Sequence, residues 1–590
     1  MKKLLCYTRL AVSEAEYAAR LGLSLHLAYE TENGFKPLNH NTGVCFVKAT
    51  QNPETLELYP KSIKCPRVCA LADGGFFITA IRTEANGEPD ESSKGCVVLF
   101  RSDDLLHYTE VGLIKIADDF IEEIETKICA SCGLPTVKVK TADKTLRARL
   151  DAKTLAVIKI EEHGCVHAEN IETDIEGCVP GNVFEVSDEL YTYLTKKLLT
   201  PSNTEMILDK NITASSLEEL NAVRATAVYS DGSTSSKRID WNLDGVDFNT
   251  PGEYKVSGKI HQDHFDFPIA TNRADPVIYR RGDSYYFIAT NDLDWNHTLY
   301  MRKAKSIPEL VTAEEHLILD TETYDHVKGL LWAPEFHEVG GKLYIFHACT
   351  TGEFHNEESH VMAYNGKGDL IERDSWEMPI KVKKADGSDI YDKGITLDMT
   401  TFDVGDDTYA AWSQRQFNPC DLGAWVYIAK LDRNEPWNLI TEPVLLTLPE
   451  YGWQNNHTLV DEGPFALIRD GKIYLTFSSA LVDSTYCVGM LTAEIGSDLL
   501  NPESWVKTNY PLLHSQSVKG EYGPGHNAYV TDEYGDVWNT YHARPGIEGP
   551  RSSGIRRVHF GFDGEPVLDM TEELDVNPNL RDVEVTVTVK

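Results

Sequence analysis

Long apolar runs are missing from this chain. No stretch approaches the roughly 20 residues of a membrane-spanning helix, so no membrane partner is expected. Cysteine is sparse: twelve residues scattered over 590 make no disulfide framework. A reducing, cytoplasmic setting is the simplest expectation from that pattern. The start, Met1-Lys2-Lys3-Leu4-Leu5, imitates a signal peptide, but Arg9, Glu14, Glu16 and Arg20 interrupt any apolar core and none is expected. Basic residues are outnumbered, 56 Lys and Arg against 92 Asp and Glu, for a formal charge of −36. That balance argues against nucleic acid or an anionic membrane surface and suits a neutral ligand, although solubility alone would account for it.

What is present is aromatic and repetitive. Tyr and Trp number 27 and 10, which suits β structure and sugar faces. Ala274-Asp275-Pro276-Val277-Ile278-Tyr279 leads through Arg281-Gly282-Asp283-Ser284 into Tyr285-Tyr286-Phe287-Ile288, a predicted hairpin. The unit recurs behind Glu335, Asp398, Glu462 and His526, at spacings of 60, 63, 64 and 64 residues. A hairpin at a fixed long period predicts a β-propeller, here with five blades. Equivalent positions then fall near one axis, which would bring several carboxylates into one pit.

At 590 residues the chain exceeds one domain. The predicted organisation is all-β. Residues 1–118 read as a degenerate propeller-like region, in which Cys65-Pro66 takes the place of the acid. Residues 119–205 read as a small mixed α/β connection, with Ser187 capping a helix. Residues 206–268 read as an Ig-like β-sandwich, and 269–590 as the five-bladed propeller. Cys129 and Cys132, with His163, Cys165, His167 and Cys178 downstream, are a candidate zinc set, but the spacing matches no standard zinc module and plain thiols are expected.

Glycoside hydrolysis needs one ionised carboxylate to activate water and one protonated carboxyl to serve the leaving oxygen. A ring of acids in a propeller supplies both, and a third raises the pKa of the acid by repulsion. Sugar binding calls for aromatic and amide side chains, and Trp295, Trp332, Gln414, Trp453 and Arg544 are the candidates.

Ala274-Asp275-Pro276, Trp332-Ala333-Pro334-Glu335, Leu397-Asp398-Met399-Thr400-Thr401-Phe402, Glu462-Gly463-Pro464, Gly523-Pro524-Gly525-His526-Asn527 and Tyr541-His542-Ala543-Arg544 together resemble glycoside hydrolase family 43. Ser478-Ser479-Ala480 with Tyr486-Cys487-Val488-Gly489 is similar to its exo-acting α-L-arabinofuranosidase branch, and the segment near Tyr229-Ser230-Asp231-Gly232-Ser233 resembles bacterial Ig-like modules. The resemblance implies an inverting single displacement with Asp275 as general base, Glu462 as general acid and Asp398 tuning the acid. It implies Asp275 and Glu462 carboxyls about 6.5–9.5 Å apart. It requires no cofactor, and it places a hydrated structural calcium ion beside His526 as a candidate at the propeller centre, against a hydrogen-bonded core histidine. Expected partners are arabinose- or xylose-containing oligosaccharides, kept short by the cytoplasmic placement, with a homo-oligomer as a further expectation. β-Xylosidase and exo-β-galactan hydrolase are the alternatives on the same fold. A non-catalytic carbohydrate-binding propeller is the alternative of another class, and a retaining fructan-type enzyme lacks its opening motif here.

Overall fold

The computed structural model describes residues 1–11, 13, 17–166 and 171–590. Glu14, Glu16 and His167 lie outside the described residues. Among the described residues the longest helix is Asp188–Leu198, capped by the Ser187 side chain on the Leu190 N–H, and no helix is long and apolar enough to cross a membrane.

Five four-stranded antiparallel sheets follow one another from residue 270 to 557. Their inner strands are Arg273–Arg281, Gly329–Val339, Gly394–Val404, Asp461–Arg469 and Tyr522–Thr531. Each packs against the next, and the last packs against the first, so the blades form a closed ring. The ring is sealed by Ala270–Thr271, which precedes blade one in sequence but pairs with the outer strand of blade five at Ser552 and Ser553. Closure covers the faces that the first and last blades of an open stack would expose, and leaves only the short outer edge of each blade.

Every inner strand carries the same defect. The pairing register slips between Ala274 and Val277, Trp332 and Glu335, Leu397 and Thr400, Glu462 and Phe465, and Gly525 and Ala528. At each slip one residue adopts a left-handed backbone: Asp275 (φ 52°), Ala333 (44°), Asp398 (55°), Gly463 (54°) and His526 (53°). These are β-bulges, which re-aim a side chain out of the ladder. The equivalent positions are therefore 275, 333, 398, 463 and 526, not 275, 335, 398, 462 and 526. A residue period of about 60 does not resolve a shift of one or two, yet a shift of one moves a side chain to the other face.

The same bulge occurs a sixth time, in Lys61–Ala70, where Cys65 has φ 52° and the register slips between Lys64 and Arg67. That strand opens a four-stranded sheet reaching Lys115. A second sheet spans Glu123–Ile128 to Val157–Glu162, and in a third Lys2–Arg9 pairs with Cys178–Val186. Strand pairing thus crosses the boundary expected at residue 118. Phe46, Phe76 and Phe100 of this region share one core with Val426, Trp453 and Phe477 of blades three and four.

The Ig-like sandwich borrows its last strand. Gly252–Ile260 pairs with Asp582–Val589 from the C-terminus, and Asn211–Thr213 lies parallel on that strand's other side. Val256, Val585, Val587 and Val589 fill its core. The final strand therefore belongs to the sandwich rather than to the propeller that precedes it.

Candidate active site

Three bulges and one strand end aim charged groups into one pit of about 340 Å³. Asp275, Asp398, Glu462 and His526 line it, with Trp332, Phe354, Arg415 and Arg551. Asp275 and Asp398 are 4% and 3% exposed and Glu462 is half-buried, and their environments differ.

Asp275 is 4% exposed and surrounded by donors. The Thr290 hydroxyl donates to Oδ2 at 2.6 Å, and His542 Nδ1 lies 3.0 Å from Oδ1. His526 Nδ1 is 3.3 Å from the same oxygen, and Arg551 Nη1 is 3.7 Å away. Burial alone would raise its pKa, but His526, Arg551 and His542 outweigh it and hold the carboxyl well below the usual carboxylate range. Asp275 is ionised at neutral pH.

Glu462 goes the other way. Burial raises its pKa and the Asp275 charge adds to that, against the Tyr486 hydroxyl that donates to Oε1 at 2.7 Å. The Tyr486 ring lies parallel to His542 with centroids 5.3 Å apart, so one stack links the partners of Glu462 and Asp275. Gly525 makes room for it, since a Cβ there would stand 2.4 Å from the Tyr486 ring.

Asp398 is pushed up to about 7 by burial, with Glu462 and Asp275 adding repulsion and His526 opposing. Its Oδ2 accepts the Gly463 N–H at 3.1 Å, which anchors the backbone next to Glu462. Gly463 is required there: φ is +54°, and a Cβ would press on the His526 ring at 2.9 Å. His526 is itself raised, because Asp275, Asp398 and Glu462 together outweigh its burial.

Other expected residues fall elsewhere. Trp332 lines the pit and donates from Nε1 to Asn296 Oδ1 at 2.8 Å. Trp295, on that same connection, is 84% exposed and outside the pit lining. Gln414 is buried off the pit, while its neighbour Arg415 lines it, as alternation along a strand dictates. Trp453 is 0% exposed and donates to the Asn509 carbonyl in the core shared with the N-terminal region, so it cannot meet substrate. Arg544 spends Nη1 on the Gly549 carbonyl and Nη2 on the Val482 carbonyl, and the guanidinium groups that line the pit are those of Arg415 and Arg551. Glu335, one of the five repeat positions, is buried against His337 at 2.7 Å and lies outside the pit lining.

Arg551, His542 and Tyr486 carry much of the electrostatics and were not singled out from sequence. Tyr486 and His542 stand inside family motifs, Tyr486-Cys487-Val488-Gly489 and Tyr541-His542-Ala543-Arg544, but Arg551 sits in a Pro-Arg-Ser-Ser segment with no local signal. If Arg551 holds Asp275 ionised, Arg551→Leu raises the pKa of Asp275. The acidic limb of a kcat/KM pH profile then moves to higher pH; an unmoved limb would contradict this coupling.

The implied calcium ion is a hydrated one, which takes most of its six or more oxygens from water. No group of three His, Cys, Asp or Glu side chains among the described residues is placed to hold a metal directly, while His526 Nε2 is buried without a hydrogen-bond partner among them and is the atom that would face such an ion. The zinc set dissolves. Cys129 follows the Ile128–Pro135 end of its sheet, whereas His163 follows the Glu123–Lys140 end, so five residues of strand separate them.

The family model of glycosyl hydrolases family 43 matches residues 265–566, and that of a bacterial Ig-like domain (group 4) matches 224–263. An extracellular exo-α-(1→5)-L-arabinofuranosidase of Streptomyces avermitilis is 31% identical over 314 residues, 51% of this chain and 62% of that one. Its namesake from Streptomyces chartreusis is 32% identical over 289 residues, 48% of this chain and 82% of that one. This chain thus spans less than two thirds of the first relative's length. An α-L-arabinofuranosidase structure from Lactobacillus brevis is 30% identical with a TM-score of 0.46, covering 51% of this chain and 95% of that one. Both Streptomyces proteins are named extracellular, which overturns the cytoplasmic placement. Unpaired cysteines were a poor guide to compartment, since thiols such as Cys6, Cys45, Cys349 and Cys487 are buried away from any oxidant.

Proposed function

Because the chain belongs to glycosyl hydrolases family 43, we propose that it is a secreted, inverting, exo-acting hydrolase that removes terminal α-L-arabinofuranosyl residues from plant-derived oligosaccharides. The observation that carries this reading is the opposite perturbation of two carboxyls in one pit: Asp275 depressed, Glu462 raised. Asp275 takes a proton from water, and that water attacks the anomeric carbon. Glu462 gives its proton to the departing glycosidic oxygen. Asp398, by holding the Gly463 N–H, orients the acid. Phe354 and Trp332 supply apolar walls for a sugar ring, and Arg415 and Arg551 supply donors to its hydroxyls. The relatives' names support the arabinofuranosyl group; with an extracellular setting, the restriction to short substrates loses its basis.

A panel of p-nitrophenyl glycosides tests the substrate. Release from the α-L-arabinofuranoside, with the inverted anomer formed first by NMR, is the expected result. Release from the β-D-xyloside alone would replace the sugar and keep the mechanism. Retention of configuration would overturn the single displacement.

A further inference from the structure

The N-terminal region grips the propeller at the loop 450–456, and that loop ends on the strand that carries Glu462. The Ala49 N–H donates to the Glu450 carbonyl at 2.7 Å, Lys48 Nζ pairs with Glu450 Oε2 at 3.0 Å, and Arg20 Nη1 donates to Asn455 Oδ1 at 3.0 Å. Trp453, between them, fills the core that the loop shares with the N-terminal region.

On its other side the loop presents Gln454, which is 0% exposed. Gln454 Oε1 accepts the Tyr451 N–H at 3.1 Å, and this turns the amide so that Nε2 lies 2.9 Å from both oxygens of Asp461. Asp461 is also 0% exposed and lies outside the pit lining. Its Oδ1 accepts from the Ser479 hydroxyl at 2.7 Å, and its Oδ2 from the Thr447 hydroxyl at 2.9 Å. The three donors come from three places: Gln454 from the loop, Ser479 from Lys472–Ser479 and Thr447 from Val444–Thr447. A buried carboxylate is costly unless donors surround it, and an apolar side chain would fill the place without that demand. What the carboxylate adds is a fixed position, because donors on separate elements converge on it.

We propose that Asp461 and Gln454 are positioning residues through which the N-terminal region holds the strand that carries Glu462. The proposal rests on Glu462 being the general acid. Asp461 and Glu462 are neighbours at the start of Asp461–Arg469, so their side chains leave the strand on opposite faces. One face meets the loop, the other the pit. On the far side of Glu462 the Gly463 N–H is held by Asp398. The backbone of the acid is thus pinned on both sides, from outside the pit by Asp461 and from inside it by Asp398.

Asp461→Asn tests this in the full-length protein. The new amide nitrogen faces Gln454 Nε2, donor against donor. On an oligosaccharide kcat is expected to fall about tenfold with KM within about twofold, short of the ~10²-fold that a 1 Å misplacement can cost. On the p-nitrophenyl counterpart, whose leaving group needs little protonation, the fall stays under about threefold. Adding Gln454→Glu sets an acceptor against the new amide and is expected to recover most of the loss. If Asp461→Asn does not give a cooperative melt, Gln454→Met, which removes the donor at similar length, decides alone by the same comparison of substrates. In a folded variant, an unchanged kcat on the oligosaccharide, equal losses on the two substrates, or no recovery in the double variant would each overturn the proposal. Glu462→Gln run alongside separates the two readings. Equal losses on both substrates in Glu462→Gln would remove the acid and the proposal with it. A leaving-group dependence in Glu462→Gln that Asp461→Asn does not share would remove the positioning role alone.

Discussion

Asp275→Asn is expected to lower kcat by about 10²- to 10⁴-fold, the usual contribution of a general base, while the protein stays folded. Asparagine is the right replacement because residue 275 sits at φ 52°. Asn and Asp visit the left-handed region more readily than other non-glycine residues, whereas alanine there adds roughly 1–2 kcal/mol of strain. Asn also keeps an oxygen that can accept from Thr290, so the loss isolates the charge. Steady-state kinetics beside a thermal melt checks this. Near-normal turnover with a normal melt would remove Asp275 from the mechanism.

Glu462→Gln carries the second large effect, and its signature depends on the leaving group. An oligosaccharide alkoxide needs the proton, so kcat on arabino-oligosaccharide is expected to fall about 10²- to 10⁴-fold. p-Nitrophenolate departs with little help, so the loss on the chromogenic substrate is expected to be much smaller. The pH profile gives an independent sign. Glu462 acts while protonated, and burial raises its pKa, so it sets the alkaline limb of a bell-shaped curve; Asp275 acts while ionised and sets the acidic limb. In Glu462→Gln the alkaline limb should disappear while the acidic limb stays. Equal losses on both substrates, or a persisting alkaline limb, would assign the proton to another group, with Asp398 at about 7 the first to test.

Asp275, Asp398 and Glu462 were legible because each stands in a motif at a hairpin start, and hairpin periodicity is written in local residue types. Ala270–Thr271 closing blade five and Asp582–Val589 completing the Ig-like sandwich were not legible. Both are pairings between strands about 280 and 330 residues apart, and no local pattern encodes such a partner. Trp453 and Gln414 show the same limit at the level of side chains. Their residue types suit a sugar, but strand alternation and a neighbouring module's core decide what they touch.

By itself the sequence determined the all-β class, the repeat of about 60 residues, the family and three acids that the structure brings to one pit. These follow from residue type, spacing and motif resemblance, which are properties of the chain alone. The tertiary structure decided which residue of each repeat occupies the bulge, that Arg551 rather than Arg544 faces Asp275, and that two carboxyls of similar intrinsic pKa diverge. A pKa is set by burial and by charges within a few ångströms, and here those charges come from blade five, reaching Asp275 across more than 250 residues of chain.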